Sequence, residues 1–173
     1  MEPTTQITDD EAQLYDRQIR LWGVDAQKRL RQANIAFAGV DGVGSEMIKN
    51  LVLAGINSIT LLDDKLVDRF DTTSNLFTHR SIGQNRAQVA SKYVESLNPM
   101  VQVRFEMVNI AEKDEQFFLQ FQVVCVSGFD KETTIKINSI CNKHNIKFYA
   151  TNTWGMFGYG FVDLGHNYSY KIE

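Results

Sequence analysis

The stretch Ile35–Asp64 constrains this chain more than any other. An apolar run, Ile35–Val40, enters a turn that holds Gly39, Gly42 and Gly44. Helical spacing of Met47, Ile48, Leu51 and Val52 follows, and Gly55 stands where a helix ends. A second apolar run, Ile59–Leu62, stops at Asp63 and Asp64. That order is a βαβ unit with a glycine-rich first turn and an acid at the end of its second strand, the arrangement that holds a nucleotide in doubly wound sheets. The glycines occupy relative positions 1, 4 and 6, which is not the G-x-G-x-x-G spacing of dinucleotide enzymes. The physics is shared, because glycines let backbone N–H groups approach phosphates at a helix N-terminus. Asp63, 19 residues after Gly44, stands where an acid would bond ribose hydroxyls. The plainer alternative is a tight strand-to-helix turn without a ligand.

The remaining chain extends the same alternation. Thr8 is placed to cap a helix whose first turn carries Asp9, Asp10 and Glu11. Ala12, Tyr15, Ile19 and Trp22 give it one apolar face, and Gly23 breaks it. A second short helix is expected over Asp25–Gln32. Lys65–Ser81 is a polar, irregular stretch of about 17 residues, with Phe70, Leu76 and Phe77 as anchors, and loops of that length are usually functional or mobile. Helical spacing returns over 84–97 and ends at Asn98-Pro99. Val101–Val108 alternates as a half-buried strand, and Asp114–Phe121 is expected to be a short helix. Val123–Val126 has the continuous apolarity of a central parallel strand. Lys131–His144 is helical with Ile137, Ile140 and Cys141 inward, and Ile146–Ala150 is the next strand. Gly155, Gly158 and Gly160 punctuate a turn into Phe161–Leu164, with which Tyr168–Ile172 is placed to form a hairpin. The expected class is α/β, a doubly wound, mostly parallel, Rossmann-like sheet with an N-terminal helical segment and antiparallel closing strands.

Composition narrows the function. The chain has 173 residues, 43% of them hydrophobic and 23% charged, which suits one globular domain. A net charge of −3 gives no reason to expect a nucleic-acid partner. No apolar run approaches the roughly 20 residues of a membrane span. Cys125 and Cys141 are widely spaced, which suggests a reducing compartment and no structural zinc. Both fall on inward positions and are expected to be inert core residues. His79, His144 and His166 are too scattered for a triad or a metal site. Phe117, Phe118 and Phe121 form a packing stripe. Trp154, Met156, Phe157 and Tyr159 make an apolar cluster that is either core or interface, and a loop cluster of that size favours interface.

Tyr15-Asp16-Arg17-Gln18-Ile19-Arg20-Leu21-Trp22-Gly23 places arginines on an N-terminal helix beside an aromatic anchor. An arginine on a projecting element can stabilise phosphate charge in a neighbouring subunit. Alone, such a helix is most simply a solvated face. With Gly39-x-x-Gly42-x-Gly44-x-Glu46, Asn50–Gly55, Leu61-Leu62-Asp63, Ile82–Ala87, Leu97-Asn98-Pro99, Phe118-x-x-Phe121 and Gly155-x-x-Gly158-Tyr159, the stretch resembles the ThiF-type adenylating enzymes that activate ubiquitin-like proteins. The resemblance runs from Tyr15 to Gly165. Within that family it is most similar to the smaller, regulatory, Aos-type subunits of SUMO-activating enzymes.

The resemblance implies a heterodimer. One half binds ATP and Mg²⁺ and adenylates the modifier, and the other lends an arginine across the interface. Active halves carry Asp-x-Asp after the second strand, then Asn-x-Asn-Arg-Gln, then Gly-x-x-Lys-Ala. Here Lys65 replaces the second acid, Arg69–Asn75 replaces the asparagine stretch, and Arg86 replaces the lysine. A lysine cannot ligate Mg²⁺. Asp130 matches an acid common in active halves, but Lys131-Glu132-Thr133 behind it favour a helix cap.

By this resemblance, Arg17 is the catalytic contribution, made in trans to the partner's ATP, while Gln18 and Arg20 fix the helix. Gly39, Gly42, Gly44 and Asp63 remain as vestigial cofactor-binding positions. This chain binds no cofactor or metal itself, because ATP and Mg²⁺ belong to the larger catalytic SUMO-activating subunit, which also supplies the thioester cysteine. SUMO is engaged through the complex. Neither nucleic acid nor membrane is involved. Residues 1–8 are expected to be a flexible tail and 9–173 a ThiF-type domain truncated at its C-terminal end. A nuclear location is implied, with the cytoplasm as a second site.

Three rivals are weaker. A Nedd-type regulatory subunit is disfavoured by the intact glycine turn and by Ala26–Leu30. An NAD(P)-dependent oxidoreductase would carry G-x-G-x-x-G and a catalytic His, Lys or Tyr set. A self-sufficient sulfur-carrier adenylase would carry the missing acid, asparagine and zinc-binding cysteine features.

Overall fold

The computed structural model describes residues 7–74, 76–166 and 168–169. Alternating apolar segments produce a six-stranded sheet flanked by helices. Three short helices come first: α1 (Asp9–Leu14), α2 (Asp16–Trp22) and α3 (Val24–Leu30). Then follow β1 (Asn34–Ala38), α4 (Gly42–Leu53), β2 (Ser58–Leu62), α5 (Arg86–Leu97), β3 (Gln102–Glu106), α6 (Glu115–Phe118), β4 (Val123–Ser127), α7 (Lys131–Lys143), β5 (Lys147–Trp154) and β6 (Phe157–Asp163). The strand order is β3-β2-β1-β4-β5-β6. All neighbours are parallel except β5 and β6, which form an antiparallel hairpin.

Side chains of a strand alternate between faces, and the core divides accordingly. Ile35, Phe37, Ile59, Leu61 and Cys125 pack with Ile48 and Val52 of α4 and Ala87, Ala90 and Val94 of α5. Ala36, Ala38, Leu62, Val124 and Val126 pack on the other face with Phe118, Ile137, Cys141 and Phe148. The chain changes face between β1 and β4. That is the topological switch point, where the carboxyl ends of neighbouring strands open a crevice.

Several local expectations are corrected. The N-terminal helix is divided at Tyr15, whose backbone leaves helical geometry, and Ala12 faces water. The Thr8–Glu11 capping box starts α1 as expected. Phe70 is 74% exposed, so it anchors nothing, and Val67, at 2%, is buried in its place. The expected half-buried strand at 101–108 is an edge strand, with Phe105 and Met107 exposed. The 114–121 helix is a single turn, capped by Asp114. β5 continues past Ala150 to Trp154, so the reversal falls at Gly155-Met156 and both Gly158 and Gly160 lie within β6. Alternation of small and aromatic residues made that strand look like a turn. The expected pairing of Tyr168–Ile172 lies mostly outside the described residues.

Candidate functional site

The first turn after β1 is built by close backbone approach. Gly39 has φ +86°, and a Cβ there would stand 1.9 Å from the Ser127 carbonyl oxygen. A Cβ on Gly44 would stand 2.2 Å from the Gly39 oxygen. Both positions therefore require glycine for the turn itself. Gly42 faces open space. Asp41 is the N-cap of α4: its Oδ1 accepts the Gly44 N–H at 2.7 Å. The Ser127 hydroxyl, at the end of β4, donates to both Asp41 oxygens at 2.8 and 2.9 Å. Neither Asp41 nor Ser127 stands out in the sequence as a site residue. The cap was legible, since an acid stood directly before a helix, but the contact with Ser127 spans 86 positions.

Asp63 is 4% exposed. One carboxylate oxygen accepts the Val40 N–H at 2.8 Å and the other accepts the Lys65 N–H at 2.9 Å. Asp63 thereby clips the end of β1 to the end of β2. Burial pushes its pKa up, opposed by those two backbone bonds and by the charges of Arg86 and Lys65. Lys65 is exposed. Arg86, at the first position of α5, closes on Asp71 with Nε to Oδ2 at 2.8 Å, both side chains largely buried. The pair fastens the 65–81 loop to α5. Asp130 caps α7: it accepts the Thr133 N–H at 2.8 Å and the Thr133 hydroxyl at 2.9 Å, and these bonds hold its carboxyl below the usual range.

Arg17 stands elsewhere. It is exposed on α2 and has no hydrogen bond or ion pair among the described residues. Its neighbours hold the helix in place. Gln18 donates to the Leu53 carbonyl at 3.2 Å, at the C-terminal end of α4, and Arg20 pairs with Asp16 one turn back at 3.0 Å. The glycine turn lies at the opposite end of α4. A 12-residue helix is about 18 Å long, so Arg17 and the glycine turn are separated by that helix.

Cys125 and Cys141 are buried on opposite faces of the sheet, and burial pushes both thiols up to about 12. Neither supplies a thiolate near neutral pH. Among the described residues no cluster of His, Cys, Asp or Glu could hold a metal ion. A cavity of about 690 Å³ opens between α7 and the β5–β6 hairpin, lined in part by Phe129, Ile135, Trp154, Tyr159 and Phe161. The hairpin cluster is exposed: Met156 is 99% accessible, Phe157 81% and Trp154 59%.

With the doubly wound sheet and its switch-point turn established, comparison with known proteins is decisive for the family. Residues 15–169 match the ThiF family. The chain belongs to the ThiF family. Similar proteins include SUMO-activating enzyme subunit 1 of Xenopus tropicalis, 44% identical over 162 residues, a match that takes in 93% of this chain and 47% of that protein. The Homo sapiens protein of the same name is 41% identical over the same shares. That of Danio rerio is 40% identical over 170 residues, 98% of this chain and 49% of that protein. This ThiF-family chain therefore spans about half the length of the relatives it matches.

Proposed function

We propose that this chain is the non-adenylating half of a heterodimeric SUMO-activating enzyme and lends Arg17 to the ATP site of a larger catalytic subunit. The reading is supported first by the position of Arg17, a solvent-facing guanidinium set a helix length away from its own chain's glycine turn. A cation so far from its own chain's turn, and exposed, is available to phosphates outside this chain. In adenylation the modifier's terminal carboxylate attacks the α-phosphorus of ATP and pyrophosphate leaves. An arginine supplied in trans stabilises charge spreading over the phosphate oxygens during that exchange. This chain's own turn would serve poorly. Lys65 presents a cation where a metal ligand is required, and Arg86 is engaged by Asp71. The thioester stage needs an activated thiolate, and both thiols here are buried and protonated. The names of the relatives favour SUMO over Nedd-type modifiers.

The test is reconstitution. The isolated chain should show no ATP–pyrophosphate exchange, and a larger cysteine-bearing subunit with SUMO should co-purify stoichiometrically and exchange rapidly. Robust exchange by this chain alone would overturn the assignment, as would failure of the pair to assemble.

A further inference from the structure

At the switch point the turns after β1 and β4 come close together. β1 and β4 lie side by side in parallel, and their following turns meet at van der Waals limits. Gly39 lies close under the Ser127 carbonyl, and a Cβ on Gly128 would come 2.7 Å from Asp41 Oδ2. Between these turns sits one carboxylate. It accepts the Gly44 N–H and the Ser127 hydroxyl, and Ser127 in turn accepts from the Thr151 hydroxyl at 3.1 Å. Four elements are tied together around it: the β1 turn, α4, β4 and β5.

The chemistry of this arrangement is that of an anion in its pocket. A helix N-terminus and a hydroxyl converge on a negatively charged oxygen pair, as they would on a phosphate. The anion is covalently part of the chain. A phosphate approaching the same donors meets a fixed like charge at close range, on a carboxylate that is half-buried and whose donors are already taken. We infer that Asp41 is a resident phosphate substitute: its carboxylate, latched by Gly44 and Ser127, closes the first turn of this chain to nucleoside triphosphates. This rests on the reading that the chain is a non-adenylating half, and it assigns the exclusion to one residue that neither the glycine spacing nor Lys65 and Arg86 identifies.

The test uses the full chain and ATP as the probe, with affinity measured by calorimetric titration. Asp41→Asn keeps an oxygen for the Gly44 N–H and removes the charge. Asp41→Gly removes the side chain. Ser127→Ala keeps the charge and breaks the latch. Each protein is first checked for cooperative unfolding, and the asparagine variant keeps the experiment informative should the glycine variant fail to fold. Asp41→Asn, and Asp41→Gly when folded, should bind ATP at least about tenfold more tightly than the parent, whereas Ser127→Ala should not. Equal ATP affinity in the parent and Asp41→Asn would overturn the inference, as would the absence of any gain in folded Asp41→Asn. ATP binding by the parent without pyrophosphate exchange would sink this inference alone. Exchange by the isolated parent would sink the proposed function with it.

Discussion

Asn98 donates to the Tyr15 hydroxyl at 2.8 Å, across 83 positions of sequence. The same amide nitrogen donates to the Val52 carbonyl at 2.9 Å. All of this is buried, and it joins the break between α1 and α2 to the ends of α4 and α5. Gly55 completes the junction: at φ +82°, a Cβ there would lie 2.5 Å from the Tyr15 ring.

Asn98→Ala would leave the buried Tyr15 hydroxyl without its donor and the Met100 N–H without its side-chain acceptor, while the Val52 carbonyl keeps the Gly55 N–H. A loss of about 1–3 kcal/mol is expected, since the desolvation cost of unsatisfied groups is then unrepaid. Urea unfolding should show a lower midpoint at unchanged slope. Tyr15→Phe should cost less, because Asn98 keeps its bond to Val52. An Asn98→Ala midpoint equal to the parent's would show that the junction contributes nothing to stability.

Arg86→Ala should free the 65–81 loop. Asp71 would keep its largely buried charge but lose its cation, at a cost of roughly 2–3 kcal/mol given its residual exposure. Limited proteolysis should then cut first within that loop, and earlier than in the parent. A cleavage pattern that does not change would separate the ion pair from loop order.

The two thiols should resist alkylation in the native state at pH 8 and react at once in denaturant. Their sign is fixed by burial. Both folded pKa values are raised from near 9 to about 12, so above pH 9 the unfolded chain releases protons that the folded chain retains. Their stabilising contribution is whole below pH 9 and is lost as the pH climbs toward 12. The Cys125→Ser, Cys141→Ser double variant, if it folds, should lose part of this alkaline dependence. Rapid native-state alkylation would contradict the buried placement.

Arg17→Ala should leave the melting temperature of the isolated chain nearly unchanged, since Arg17 is exposed on α2. In the reconstituted pair it should slow adenylation on the order of 10³-fold, the scale of arginines supplied in trans. Assembly should persist, as judged by size-exclusion chromatography. Arg17→Lys should recover little, because an ammonium lacks the planar fork. An unchanged exchange rate would remove Arg17 from the mechanism.

The architecture was legible because periodicity and punctuation agreed. Ile35–Val40, the α4 spacing and Gly55 each pointed to the same βαβ unit, and α7 was marked by both Asp130 and its inward Ile137 and Cys141. Legibility failed where the deciding partner was distant. Nothing local distinguishes Phe70 from Phe77, yet one faces water and the other lies in the core. Glycines at 158 and 160 suggested a turn, although they lie in a strand whose register is set by β5; a Cβ on Gly158 would press on the Asn152 backbone oxygen at 3.0 Å. The Asp41–Ser127 contact was invisible for the same reason.

The hairpin has a consequence for the handling of the molecule. β6 is the last strand of the sheet, and its outer row of N–H and C=O groups has no neighbouring strand among the described residues. Met156, Phe157 and Trp154 stand at its tip in water. A long apolar edge of this kind is a template for strand-on-strand stacking between molecules. Concentrating the isolated protein therefore favours aggregates seeded at this strand. Whatever pairs with or covers that edge removes the template.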